Sequence, residues 1–284
     1  MDAATTGAAP RRAGRPAAPI RLAAAALQRL RRHPVPMRTH FRHSLVLTWA
    51  VPPAAVRRFL VPGLELDTFT DRSGREWAFV AAACVELDSL RPAPVPARFG
   101  GRQLMVGYRV FCTLATPRRG GGTLTRRGLR ILASQATDPL AVLGANLTTR
   151  YHYRPVRGEL TADGDRITVR VRSRDGRADI DLAVDPRDGR LPEESVFATA
   201  AQARRFAGPL PYTFSPDPDG IVVVRATRTD WSPEPVRVLH AEVGFFAEGP
   251  FAGVERRLSN AFHVADVDYG WQRGQLHRVE TPRP

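Results

Sequence analysis

His43-Ser44-Leu45-Val46-Leu47-Thr48-Trp49-Ala50-Val51-Pro52 is the stretch that decides the fold class. Leu45, Leu47, Trp49 and Val51 alternate with Ser44, Val46, Thr48 and Ala50, the two-residue period of a half-buried strand. Pro52 and Pro53 then open a short helix through Leu60, stopped by Pro62-Gly63. The same period returns at residues 64–70, 76–87, 103–116 and 129–137. Residues 91–101 carry Pro92, Pro94 and Pro96 and end in Gly100-Gly101, too proline-rich for a central strand.

Asp138-Pro139 has the N-cap and N1 chemistry of a short helix running into Gly144, followed by a strand through Tyr151 and Tyr153. Asp163-Gly164, Asp175-Gly176 and Asp188-Gly189 are hairpin signals among three further strands. Residues 192–206 are expected to be helical, with Glu193 and Glu194 at the start and Arg204 and Arg205 at the end. Strands resume at 221–231 and 236–246, a short helix is expected over 250–258, and a last strand covers 260–271. About ten strands with few short helices predict a mainly β fold, an antiparallel barrel or double sheet with helices packed on it. We expect one barrel domain over residues 37–277, a basic Ala/Pro/Arg-rich tail over 1–36 and a C-terminal tail over 278–284.

The chain of 284 residues contains no lysine; all 42 basic side chains are arginine. That excludes imine formation with a substrate carbonyl, a phosphate-loop lysine and an amine general base, because a guanidinium stays protonated and is a poor nucleophile. The net charge is +14, and +8 of it lies in residues 1–43, where nine arginines face one acid, Asp2. The body is only mildly basic, so no specific nucleic-acid partner is expected. Residues 20–32 can form a short basic helix able to touch an anionic surface. The chain has no run long enough to span a bilayer and no convincing signal peptide, and a cytoplasmic location is expected. Cys84 and Cys112 sit in apolar strand-like surroundings and read as buried structural thiols.

Several spaced segments together resemble a known group: LVLTWAVPPAAVRRFLVPGLELDTF, WAFVAAACVELDSLRP, GYRVF, RRGLRIL, GANLTTRYHYR and AFHVADVDYGWQRG. In this order they are similar to the YqjF-like family of unknown function, placed in the acetoacetate decarboxylase-like superfamily of β-barrels. The resemblance covers roughly residues 38–275 and implies a barrel around a small-ligand cavity. The decarboxylases of that superfamily carry an acid followed by an imine-forming lysine. Here the similar stretch is Gly144-Ala145-Asn146-Leu147-Thr148-Thr149-Arg150-Tyr151-His152-Tyr153. Asn146 stands near the acid, and Tyr151, His152 or Tyr153 near the lysine, so imine chemistry does not carry over.

Strand alternation would put Leu147, Thr149, Tyr151 and Tyr153 on one face, offering hydroxyls in an apolar lumen, with Arg150 and His152 on the other. Arg109 is a charge inside an apolar strand and needs an acidic partner or an anionic ligand. Glu86, in the neighbouring strand, is one such partner; a substrate carboxylate gripped by the guanidinium fork is the alternative. Arg130 carries the same ambiguity. Glu242, His263 and Asp266 could converge for acid–base work, but nothing has a compact metal-ligand signature, and no metal or cofactor is expected.

The leading expectation is a barrel that binds a small anionic organic ligand, a carboxylate or keto acid, through Arg109, Asn146, Thr149, Tyr151 and Tyr153. A second is a lysine-independent lyase or isomerase using Glu86, His152 or Glu242. A third is a protein whose basic tail engages nucleic acid or a membrane surface. Self-association is a further partner class that the sequence leaves open.

Overall fold

The computed structural model describes residues 18–118, 120–208 and 210–278. Residues 1–17 of the expected basic tail and 279–284 of the expected C-terminal tail lie outside the described residues. Helix α1 (Ala18–Leu30) forms where the short basic helix was expected, and it leads into β1 (Met37–Val51). After α2 (Pro53–Arg57) come the short strands β2 (Leu64–Leu66) and β3 (Phe69–Thr70). Three long strands follow, β4 (Glu76–Pro92), β5 (Gly101–Pro117) and β6 (Thr123–Ala136). Next in the chain are α3 (Pro139–Thr148), β7 (Tyr153–Pro155), β8 (Arg157–Asp163), β9 (Arg166–Arg172) and β10 (Ile180–Asp185). Helix α4 (Ala200–Ala207) precedes β11 (Tyr212–Asp217), β12 (Gly220–Arg228), β13 (Glu234–Pro235), β14 (Arg237–Val243), β15 (Arg257–Trp271) and β16 (Gln275–His277).

Seven strands pair in a closed circuit, β15–β1–β4–β5–β6–β11–β12, and residues 226–228 of β12 return to residues 269–271 of β15. Most ladders are antiparallel; β6 pairs in parallel with β11 and with β7. The β6–β11 crossing depends on Gly128, where a Cβ would lie 2.6 Å from the Tyr212 carbonyl oxygen. A second sheet, β14–β10–β9–β8, lies against the outside of this circuit.

This arrangement explains why β1 is apolar on both faces. Leu45, Leu47, Trp49 and Val51 pack outward with Val169, Val171, Ile180 and Leu182 of the second sheet. Val46 and Ala50 turn inward with Phe79, Phe111 and Phe262. Each fully buried side chain of this size contributes about 1.5–3 kcal/mol through apolar burial. The inner cluster fills one end of the circuit with Phe79, Phe197 and Phe206; Phe79 stacks on Phe197 at 5.4 Å. The other end stays open beneath α3.

Three local expectations are corrected. Helix α3 does not stop at Gly144 but continues to Thr148, so residues 147 and 148 are helical and the expected strand face through Leu147 does not exist. The helix expected over 192–206 starts only at Ala200, because Thr199 accepts a hydrogen bond from Gln202 N and caps it there, while Val196 and Phe197 turn into the core. The helix expected over 250–258 is a single 3-10 turn at Gly249–Phe251, since β15 already begins at Arg257. Asp163-Gly164 does form the β8–β9 hairpin, whereas Asp188-Gly189 lies between β10 and α4 and joins no hairpin.

Candidate ligand-binding site

A cavity of about 480 Å³ occupies the open end of the circuit, within the ~300–1,000 Å³ usual for small-molecule sites. Small residues facing inward make the room: Ser44 on β1, Ala81 on β4 and Gly107 on β5. Helix α3 lies across the mouth, with Ala141, Gly144, Ala145 and Thr148 toward the cavity and Leu140, Leu143 and Leu147 toward solvent. The segment after α1 completes the rim: His33 N donates to Thr148 O at 2.9 Å, and Gly274 N donates to His33 O at 2.9 Å.

Arg109 enters this cavity from β5, opposite Ala81 of β4 and Ile131 of β6. Its Nε is buried and has no hydrogen-bond partner, and among the described residues no carboxylate lies within 4.0 Å of its guanidinium. Glu86 does not fill that role. It projects from the opposite, outer side of β4, where it pairs with Arg102 at 2.7 Å and Arg42 at 3.7 Å. The register decides this: Glu86 faces Leu104 while Arg109 faces Ala81, and the strand pleat puts the two on different faces. Arg130 likewise lies off the cavity, and burial lowers its pKa.

Tyr151 and Tyr153 both line the cavity; Tyr153 opens the short β7 and Tyr151 lies just before it. His152 between them has a left-handed φ of 52° and is exposed, which lets both tyrosines turn inward without regular alternation. Tyr269 joins them from β15. Burial pushes the Tyr153 hydroxyl up to about 12 and raises those of Tyr151 and Tyr269, against the opposing charge of Arg109. At neutral pH these phenols are therefore proton-bearing donors beside a guanidinium, a setting that favours an anion.

Asn146 and Thr149 have structural partners. Asn146 grips the Tyr153 backbone from both sides, Nδ2 donating to its carbonyl at 2.9 Å and Oδ1 accepting from its N–H at 2.8 Å. It does not line the cavity. The Thr149 hydroxyl reaches the cavity wall but donates to Ala145 O at 2.8 Å and accepts from Tyr151 N at 3.3 Å. Both residues set the tyrosines rather than present free groups.

The three acid–base candidates do not converge. Glu86 and His152 lie outside the cavity, and Glu242 is exposed on β14, where it pairs with His240 at 3.9 Å. His263 instead meets His43, Nδ1 to Nε2 at 3.1 Å, on the outer face. No group of three metal-competent side chains occurs among the described residues.

Sequence reasoning passed over Phe41, Trp231, Tyr269 and Trp271, which form the aromatic wall near the mouth. Phe41 stacks on Tyr269 at 4.2 Å, and Trp271 and Trp231 approach Tyr269 at 5.0 and 6.0 Å. Arg228 covers Trp231 at 4.9 Å. The missed signal was Asp266, a residue type that tolerates the left-handed region. Its φ of 52° shifts the strand parity, so that Phe262 and Val264 face inward before it and Val267, Tyr269 and Trp271 after it.

Among solved structures, acetoacetate decarboxylase from Legionella pneumophila subsp. pneumophila str. Philadelphia 1 is similar at 13% identity and a TM-score of 0.55, covering 86% of this chain and 88% of its own. The enduracididine biosynthesis enzyme MppR with HEPES buffer bound aligns at 13% identity and 0.53, over 87% of this chain and 90% of its own. An acetoacetate decarboxylase-like enzyme from Sphingomonas wittichii RW1 gives 13% and 0.53, over 88% and 94%. MppR has also been solved complexed with pyruvate. At this identity the likeness establishes the fold alone. No curated protein is detectably similar in sequence. Residues 38–267 match the family described as DUF2071, uncharacterised conserved protein (COG2071), and the chain belongs to that family.

Proposed function

We propose that the cavity binds a small organic anion, a carboxylate or keto acid, without imine chemistry. The observation that carries this reading is the Arg109 guanidinium, lining the cavity with no carboxylate within reach among the described residues. Burying a cation without a partner is costly, and an anionic ligand offsets that cost with charge-assisted hydrogen bonds. Tyr151, Tyr153 and Tyr269 supply further donors around it. The fold neighbour MppR has been solved complexed with pyruvate, a keto acid, which supports this reading. The absence of lysine from the sequence supports a reading without imine chemistry.

Thermal shift against a panel of carboxylic and keto acids tests the proposal. At least one acid should raise Tm in a concentration-dependent way, and Arg109→Gln should abolish the rise. No shift from any acid, or an unchanged shift in Arg109→Gln, would overturn it.

A second reading concerns α1, whose Leu27 and Leu30 are about 40% exposed beside Arg29. A basic helix with uncovered leucines matches an anionic membrane surface. Co-sedimentation with phosphatidylserine vesicles at low salt should be lost on deleting residues 1–30. Equal sedimentation of the deleted chain would end this reading. No helix among the described residues is long and apolar enough to cross a membrane.

A further inference from the structure

We infer that the anion is the head of an amphipathic monocarboxylate with a medium-length alkyl or aryl-alkyl body, rather than a short keto acid. This rests on the proposed anion site and names its ligand class.

Three observations set the shape of the ligand. The first is depth. The Arg109 guanidinium folds over Gly107, 3.3–3.4 Å from where a Cβ would stand there, so the cation lies well below the rim of β5 at Gly101. Six residue steps of strand separate the two glycines, about 20 Å of wall at the usual rise. The second is chemistry along that wall. Between head and mouth stand Met105, Phe41, Tyr269 and Trp271, with ring contacts of 4.2 and 5.0 Å holding the aromatic surface continuous. The third is volume. A cavity of about 480 Å³ equals roughly sixteen water molecules at ~30 Å³ each, and a three-carbon acid fills a small part of that. An acid seated at Arg109 with only a methyl group behind it leaves the aromatic wall wetted, whereas an apolar body covers it and gains from burial.

At the rim Arg91 is already engaged by the Ser89 and Val95 carbonyls, and along the wall Gln103 has its buried Oε1 unpartnered higher on the same strand as Arg109. That places one acceptor beside the ligand body and predicts tolerance of a hydroxyl there. A second carboxylate at the far end would instead meet Trp271 and, at the rim, the Asp138 carboxylate that caps α3.

The test is isothermal titration of the full chain with pyruvate, butyrate, hexanoate, octanoate, 4-phenylbutyrate, octanedioate and 1-octanol. Affinity should rise about three- to fourfold per added methylene, the factor expected from burying one CH₂. Octanoate should exceed pyruvate by more than tenfold, and octanedioate should bind more weakly than octanoate. Arg109→Met should weaken octanoate and leave 1-octanol unchanged. Ala81→Leu, which fills the lumen beside the head, should weaken octanoate and butyrate alike. A flat series, with pyruvate as tight as octanoate, overturns this inference while the anion site stands. If no acid binds, both fall. Because the chain-length series uses the unaltered protein, the inference is tested even where a variant fails to fold.

Discussion

The Arg109 guanidinium lies along its own strand over Gly107, with Nε 3.3 Å and one terminal nitrogen 3.4 Å from the position a Cβ would take. The glycine is therefore the seat of the cation. A methyl group there needs a few tenths of an ångström of movement, but a branched side chain needs more. We expect Gly107→Val to displace the guanidinium and weaken carboxylate binding by about tenfold, equivalent to 1.4 kcal/mol. Overpacking should cost ~1–3 kcal/mol of stability. Titration calorimetry beside a denaturation curve separates the two effects; unchanged affinity would show that the head sits elsewhere.

Asp217 ties α1 to the body. Its carboxylate has no exposed side-chain surface and takes Arg32 at 2.8 Å and Arg150 at 3.2 Å, while Arg150 also reaches Gln28 of α1. Desolvation pushes the carboxyl up, but the hydrogen bonds from Arg32 and the Asp219 backbone outweigh it and hold it below 3.8. Its stabilising contribution is thus present above pH 3.8 and lost as pH falls through the lower folded-state value. Asp217→Asn should cost about 2 kcal/mol, less than the 3–5 typical of a deeply buried pair, because both arginines touch solvent. Hydrogen exchange in α1 should quicken; protected α1 amides in the variant would contradict this anchoring role.

Much of this architecture is written locally. The alternation in residues 44–51 predicts β1, and the apolar character of both its faces records burial on two sides. Arg109 stood out because a lone charge in an apolar strand demands a reason. Its relation to Glu86 was not legible, since facing or opposing sides depend on register between β4 and β5, a long-range property. Alternation puts Tyr151 and Tyr153 on one face; in the structure both line the cavity, held there by the left-handed His152 and the Asn146 clamp. Tyr269 and Trp271 were hidden by the parity shift at Asp266, which no period-two pattern represents.

Cys84 and Cys112 offer a direct probe of the core. Both are free and fully covered, and burial pushes each thiol up to about 12, with Arg109 and Arg130 respectively opposing it only weakly. A thiol so placed has almost no thiolate at pH 8 and no access to reagent. Neither cysteine should react with Ellman's reagent in the native chain, and both should react in guanidinium chloride. Rapid labelling of Cys84 without denaturant would mean that the packing between the two sheets opens readily.

The His43–His263 contact makes a pH prediction whose sign is fixed. The two imidazoles approach to 3.1 Å across β1 and β15, and both titrate below the usual 6.5. Burial is the main cause for each, and His43 further depresses His263, to about 4. In the unfolded chain both rings take up protons near pH 6.5, while the folded state resists. Stability is therefore full above pH 6.5 and declines as pH falls from 6.5 toward 4, because the unfolded state binds more protons in that window. For His263 the loss is at most ~3 kcal/mol at 1.36 kcal/mol per pKa unit, reduced by solvent screening of a partly exposed ring. His33, also buried with a lowered pKa, contributes in the same direction. His263→Gln keeps a hydrogen-bonding group beside His43 but cannot protonate. Between pH 6.5 and 4 its Tm should fall less steeply than that of the unaltered chain, and the two curves should run parallel above pH 7. An identical slope below pH 6.5 would show that His263 protonates as easily folded as unfolded.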